Sequence, residues 1–123
     1  MKKLTTIVSA VLALGLGTSA SAQVNLTAET ASPSSAPGVS VIALSEAAAK
    51  YNVANMQVTT GQTLTNSVQN VAEGKSDVAA APFVLPFLLS RAVGPYAKVG
   101  KEKGAELASQ LAVLYTYRIA CQG

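Results

Sequence analysis

Two short stretches concentrate side chains able to hold an anion. The first places Thr30, Ser32, Ser34 and Ser35 within six positions, broken by Pro33 and followed by Pro37. The second runs Thr59, Thr60 and Gly61, with Thr63 and Asn66 just beyond. Hydroxyl and carboxamide groups donate hydrogen bonds without adding charge or much bulk. Ahead of a helix they stand beside its unpaired backbone N–H groups, and the positive end of the helix dipole adds to the attraction. Such groups support capture of a carboxylate or similar anion with no bond made or broken. The same residue types are also ordinary helix N-caps, so either loop taken alone is explained by capping. Both readings stand on the residues themselves.

Catalysis lacks its usual parts. The chain has no His, and Cys121 is its one Cys. No imidazole is available as general base, so Ser-His-Asp and Cys-His sets are excluded. No internal disulfide can form, and the common His/Cys metal sites are excluded as well. Glu46, Glu73, Glu102 and Glu106 read as isolated on helices or loops, and no carboxylate pair suggests acid–base work. The residues therefore call for no enzyme, cofactor or metal.

Residues 1–22 fit an export signal. Lys2 and Lys3 form a basic start, residues 7–16 an apolar core, and Ala20-Ser21-Ala22 a small-residue cleavage pattern. The rival is a membrane anchor, but the apolar core is short against the roughly 20 residues that span a bilayer. Cleavage would leave residues 23–123, with seven basic side chains against six acidic ones. That balance, with scattered positive charge and few aromatics, argues against nucleic acid as a partner.

The elements that must carry the two loops follow from periodicity. Residues 24–31 alternate loosely as a strand, and residues 32–38 are turn chemistry. From Val39 the period changes, and Val41, Leu44, Ala48 and Tyr51 form a helical stripe. A second short strand is expected over 56–60. A second helix follows, with Leu64, Val68, Val71 and Ala72 on one face, capped by Thr63 and closed by Gly74. A third strand is expected over 77–81, buried on both faces. Residues 83–92 read as a helix kinked or broken by Pro86. Residues 94–103 read as a polar loop, 104–110 as a helical turn or two, and 111–120 as a fourth strand. Strands alternating with helices imply an α/β fold with a mostly parallel sheet and helices on both faces. In such sheets ligands bind beyond the carboxyl ends of the strands, where both hydroxyl loops and Ala81 would lie.

At residues 59–79, TTGQTLTNSVQNVAEGKSDVA, the chain resembles the TAXI-type solute-binding proteins of tripartite ATP-independent periplasmic (TRAP) transporters. Those proteins commonly show T-G-G-S-x-x-N, an apolar helix, A-x-G and D-[IVL]. Here Thr60, Gly61, Gln62, Thr63 and Asn66 match the first pattern, Ala72-Glu73-Gly74 the second and Asp77-Val78 the third. Gln62 stands where the second Gly would be, and Thr63 where Ser would be. The likeness, together with the export signal and the T-A-S-P strand end, covers most of residues 24–119.

The resemblance implies the first lobe of a type II periplasmic binding protein, with a small organic carboxylate (an amino acid or dicarboxylate) held in a cleft between two lobes. It implies a periplasmic protein that delivers this ligand to TRAP-type membrane permease subunits. Ligand contacts would come from Thr30, Ser32, Ser34, Thr60, Gly61, Thr63, Asn66 and Ala81. Such proteins are far longer, so the chain is expected to be a truncated or incomplete lobe ending near the crossover to the second. The alternative is a small exported α/β module acting by protein contact through the edge near 111–120.

Other motifs fall short. Gly74-Lys75-Ser76 ends like a phosphate loop, but Gln69 occupies the position of its first Gly; residues 94–102 have misplaced glycines and end on Glu102. Lys98, Lys101 and Lys103 read as a solvated loop. Asn25-Leu26-Thr27 is a sequon by pattern inside an expected strand. Arg118 and Cys121 have no role legible in the sequence.

Overall fold

The computed structural model describes residues 22–118, so the export signal, the end of the expected fourth strand and Cys121 lie outside the described residues. Three parallel strands form one open sheet in the order β2-β1-β3: β1 Val24–Glu29, β2 Ala54–Thr59 and β3 Val78–Ala79. Between them come α1 (Ala36–Lys50) and α2 (Leu64–Ala72). After β3 come α3 (Val84–Arg91), a 3-10 turn (Gly94–Tyr96) and α4 (Lys101–Ser109). The α/β class and the parallel sheet expected from the alternation are therefore present. The chain steps from β1 to β2 and then back across β1 to β3, with α1 and α2 carrying the two crossovers.

The two crossover helices are packed unequally. Val68 and Ala72 of α2 join Leu85, Leu89, Tyr96 and Leu107 in one buried cluster. Gly104 lets α4 approach α3 closely, since a Cβ there would sit 2.4 Å from the Leu89 carbonyl oxygen. On α1 only Gly38 and Val41 are buried; Leu44 and Ala48 are half-buried. Tyr51, expected to complete that stripe, is 70% exposed, because α1 ends at Lys50 and the chain turns away through Asn52 at φ 53°.

Four further expectations are corrected. Pro86 does not break α3, which runs unbroken from Val84 to Arg91. It is the third residue of the helix, where the N–H has no intrahelical acceptor, so the missing donor costs nothing. Residues 94–103 are not a polar loop: a 3-10 turn is followed by α4 starting at Lys101, and Tyr96 is buried. Residues 111–118 form no strand. Their composition suits one, but no backbone hydrogen bond joins 112–118 to any described residue. A strand exists only where a ladder partner lies within about 5 Å, and β3 regularises over two residues only. β3 is accordingly shorter than expected, and its residues are half-buried.

Candidate functional site

The loops after β1 and β2 meet at the carboxyl edge of the sheet, and backbone hydrogen bonds clasp them together. Thr30 N–H donates to the Thr59 carbonyl (3.0 Å), extending the ladder one residue past both strands. Gln62 N–H then donates to the Thr30 carbonyl (3.0 Å) and Gly61 N–H to the Ala31 carbonyl (3.1 Å). Gly61 takes φ 83°, a conformation costly for a residue with a Cβ. The two hydroxyl-rich stretches are thus neighbours along one rim.

Within the first loop the hydroxyls have separate tasks. Ser35 is the N-cap of α1: its Oγ accepts from Gly38 N–H at 3.2 Å and donates to the Ser32 carbonyl at 2.6 Å. Gly38 makes this fold-back possible, since a Cβ there would sit 2.0 Å from the Ser32 oxygen. Ser32 and Ser34 pair through their hydroxyls at 3.0 Å and face solvent. The start of α1 is a poorer donor than the sequence suggested. Pro37 has no N–H and Gly38 is capped, which leaves the Ala36 amide as the free donor of the first turn.

The second loop is better supplied. Thr63 caps α2, accepting from Asn66 N–H at 3.4 Å. The Leu64 and Thr65 amides at the first two helical positions have no acceptor among the described residues. Ser67 N–H and Oγ both donate to the Thr63 carbonyl, at 2.9 and 3.1 Å. Buried Tyr96 donates its hydroxyl to the Thr65 carbonyl at 2.9 Å and so anchors this turn to the apolar cluster. Burial pushes that phenol above its usual range, so it stays neutral. Gln62 turns its side-chain oxygen onto Thr63 N–H at 3.2 Å, occupying a donor that a Gly at that position would leave open.

Thr30 is the exception among the hydroxyls. It is 0% exposed, and its Oγ1 has no hydrogen-bond partner in the described structure. A buried unpaired hydroxyl costs about 1–3 kcal/mol. Strand alternation puts Thr30 on the same side as Ala28, opposite Glu29, whose carboxylate accepts both bonds donated by Asn70 Nδ2 of α2 (3.1 and 3.0 Å).

The remaining expected residues divide. Thr60 and Asn66 are exposed at the rim, the latter with its backbone held by the cap. Ala81 packs, half-buried, against the apolar cluster and offers no polar group. Gly74, at φ 74°, closes α2, and Lys75 beside it pairs with Glu73; this stretch is a helix end rather than a phosphate loop. Asp77 joins strands instead of touching the rim. Its carboxylate accepts from Thr27 N–H (2.8 Å) and Thr27 Oγ1 (2.9 Å), which holds it below the ordinary aspartate range.

Arg118 was missed by the sequence. It lines a shallow groove of about 480 Å³ along α1 with Ser34, Val39, Ser40 and Tyr117, beside the first loop. No local motif could have signalled this, because it depends on how residues 111–118 cross α1. Among the described residues no group of three or more His, Cys, Asp or Glu could hold a metal ion, and no helix is long and apolar enough to cross a membrane. No family model, curated protein or solved structure matches the chain.

Proposed function

We propose that the protein is a solute-binding component of a TRAP-type uptake system, and that its two clasped loops form one wall of a site for a small organic carboxylate. The observation that carries this reading is the backbone clasp that joins two hydroxyl loops at one strand-end rim, with the Leu64 and Thr65 amides unpaired there and the buried Thr30 hydroxyl without a partner beside them. Buried polar groups without partners are uncommon, and each asks for a reason. The free Leu64 and Thr65 amides and the Thr63 hydroxyl supply the remaining donors, and the α2 dipole favours negative charge there. Binding, release and delivery to a permease need no bond-making, in keeping with the chain's lack of an imidazole. Export to the periplasm and contact with membrane subunits belong to the same proposal; the first rests on the signal pattern at residues 1–22 and the second on the resemblance at residues 59–79.

Magnitudes set the test. A hydrogen bond to a charged group contributes about 1.5–3 kcal/mol net. Two such bonds give on the order of 4 kcal/mol, a Kd of about 1 mM. A carboxylate at about 50 mM should then stabilise the fold by about 2 kcal/mol, several degrees in Tm. Thermal unfolding is measured with amino acids, dicarboxylates and their uncharged amides at constant ionic strength. A rise with one carboxylate class that is absent with its amide supports the proposal. Identical melting across the panel would sink it.

A further inference from the structure

We propose that the apolar cleft beside β3 is an interface between two copies of this chain, filled by residues 111–117 of each copy lying along the outer edge of the other's β3. The proposal is independent of the carboxylate site and goes beyond it.

Four observations carry it. First, β3 is an edge strand, paired with β1 on one side only. An open edge invites another strand. Second, residues 111–117 read L-A-V-L-Y-T-Y, rich in aromatic and β-branched types, yet residues 112–118 make no backbone hydrogen bond within the described chain. One molecule thus holds both an acceptor edge and a strand-like segment whose backbone is unpaired, facing a common cleft and not joined to each other; the segment is held to α1 by the Tyr115 hydroxyl, which donates to the Ser40 carbonyl at 3.5 Å.

Third, the cleft is the size of a strand. Its volume is about 930 Å³, and residues 78–81 and 111–117 line it together with Leu26, Val41 and Val68. A strand residue rises about 3.3 Å, in ladders about 4.8 Å apart and layers about 10 Å apart, so it fills roughly 160 Å³. The cleft therefore holds about six residues by that measure, close to the length of the segment offered. Asp77 is its one charged lining residue among those described, and Thr27 already engages that carboxylate. Interface cores are similarly depleted of charge.

Fourth, the exposed apolar surface matches a dimer. Phe83, Phe87, Val113, Leu114, Tyr115 and Tyr117 all line the cleft, and their exposures run from 42% to 78%. Exposed apolar side chains gathered in one patch mark an interaction surface. A second copy is favoured over an unrelated protein because donor and acceptor are both parts of this chain, and reciprocal exchange closes with two-fold symmetry.

The test is the solution mass by light scattering after size exclusion, from about 1 to 200 µM, on the parent chain and on Leu114→Glu, Val113→Pro and Leu114→Pro. Adjacent residues of a strand point their N–H groups to opposite sides, so one of the two prolines must remove a ladder donor. The parent should show twice the chain mass at high concentration. Leu114→Glu and at least one proline variant should weaken association tenfold or more. Each monomer should keep the parent's far-UV spectrum, because these positions lie outside the buried cluster. A folded parent that stays monomeric throughout would overturn the proposal. So would an open series of larger species, or a dimer unmoved by all three variants.

Discussion

Thr30 sets the balance between stability and binding at the scale of single residues. Its hydroxyl is buried and unpaired, so Thr30→Val, which keeps the shape and removes the polar atom, should raise stability by about 1 kcal/mol. In a domain of this size that is about 4–8 °C in Tm, read by thermal unfolding without ligand. The same change should remove the carboxylate-dependent stabilisation. A variant both more stable and still responsive would detach Thr30 from the site. Gly38 makes the opposite case. A Cβ at that position would sit 2.0 Å from the Ser32 backbone oxygen, so Gly38→Ala must shift backbone and should cost about 1–3 kcal/mol in urea unfolding. The sequence exposed the hydroxyls but not their division of labour. Ser35 and Thr63 are caps, Ser32 and Ser34 a solvent-facing pair, and Thr30 alone is buried without a partner. All five are hydroxyl side chains in loops ahead of a helix, and only the three-dimensional path separates their tasks.

Element-scale features explain where periodicity was reliable. The α2 face of Leu64, Val68, Val71 and Ala72 was legible because a nine-residue helix with one apolar side has a strong period, a hydroxyl cap and a Gly end. Thr63→Ala should cost about 1 kcal/mol through the lost cap, while Thr63→Ser should be close to neutral; urea midpoints of the two variants distinguish them. Pro86 misled because proline was weighed without its position, and at the third helical residue it removes no bond. The junction of β1 and β3 depends on Asp77, whose pKa is lowered by the Thr27 backbone and hydroxyl hydrogen bonds. A folded pKa below the unfolded one gives stability that is complete above the unfolded value, about 4, and is lost as pH falls through the folded value. Urea midpoints should hold steady down to about pH 5 and fall below about pH 4. Asp77→Asn should flatten that fall and lower the neutral-pH plateau. Glu73, lowered by its hydrogen bonds to Lys75 and Gln69, acts in the same direction and accounts for slope remaining in the variant.

The whole molecule combines a legible half with an illegible one. The two strand–helix–strand steps to β3 follow from changes of period, and with them the parallel sheet and the shared rim of the hydroxyl loops. Beyond β3 the chain depends on contacts distant in sequence: Gly104 against the Leu89 carbonyl, Tyr96 reaching back to Thr65, and residues 111–118 crossing α1 beside Ser34. A strand-like composition at 111–117 could not reveal that β3 leaves it unpaired. The central claim is that both loops serve one anion. It is tested most directly by backbone-amide NMR during titration with the best carboxylate of the thermal panel, to about 50 mM and with its amide as control. The predicted result is a single millimolar isotherm shared by the amides of residues 30–32, 34–36 and 60–66. Shifts confined to one loop, different affinities for the two loops, or responses only around Lys98, Lys101 and Lys103 would contradict it.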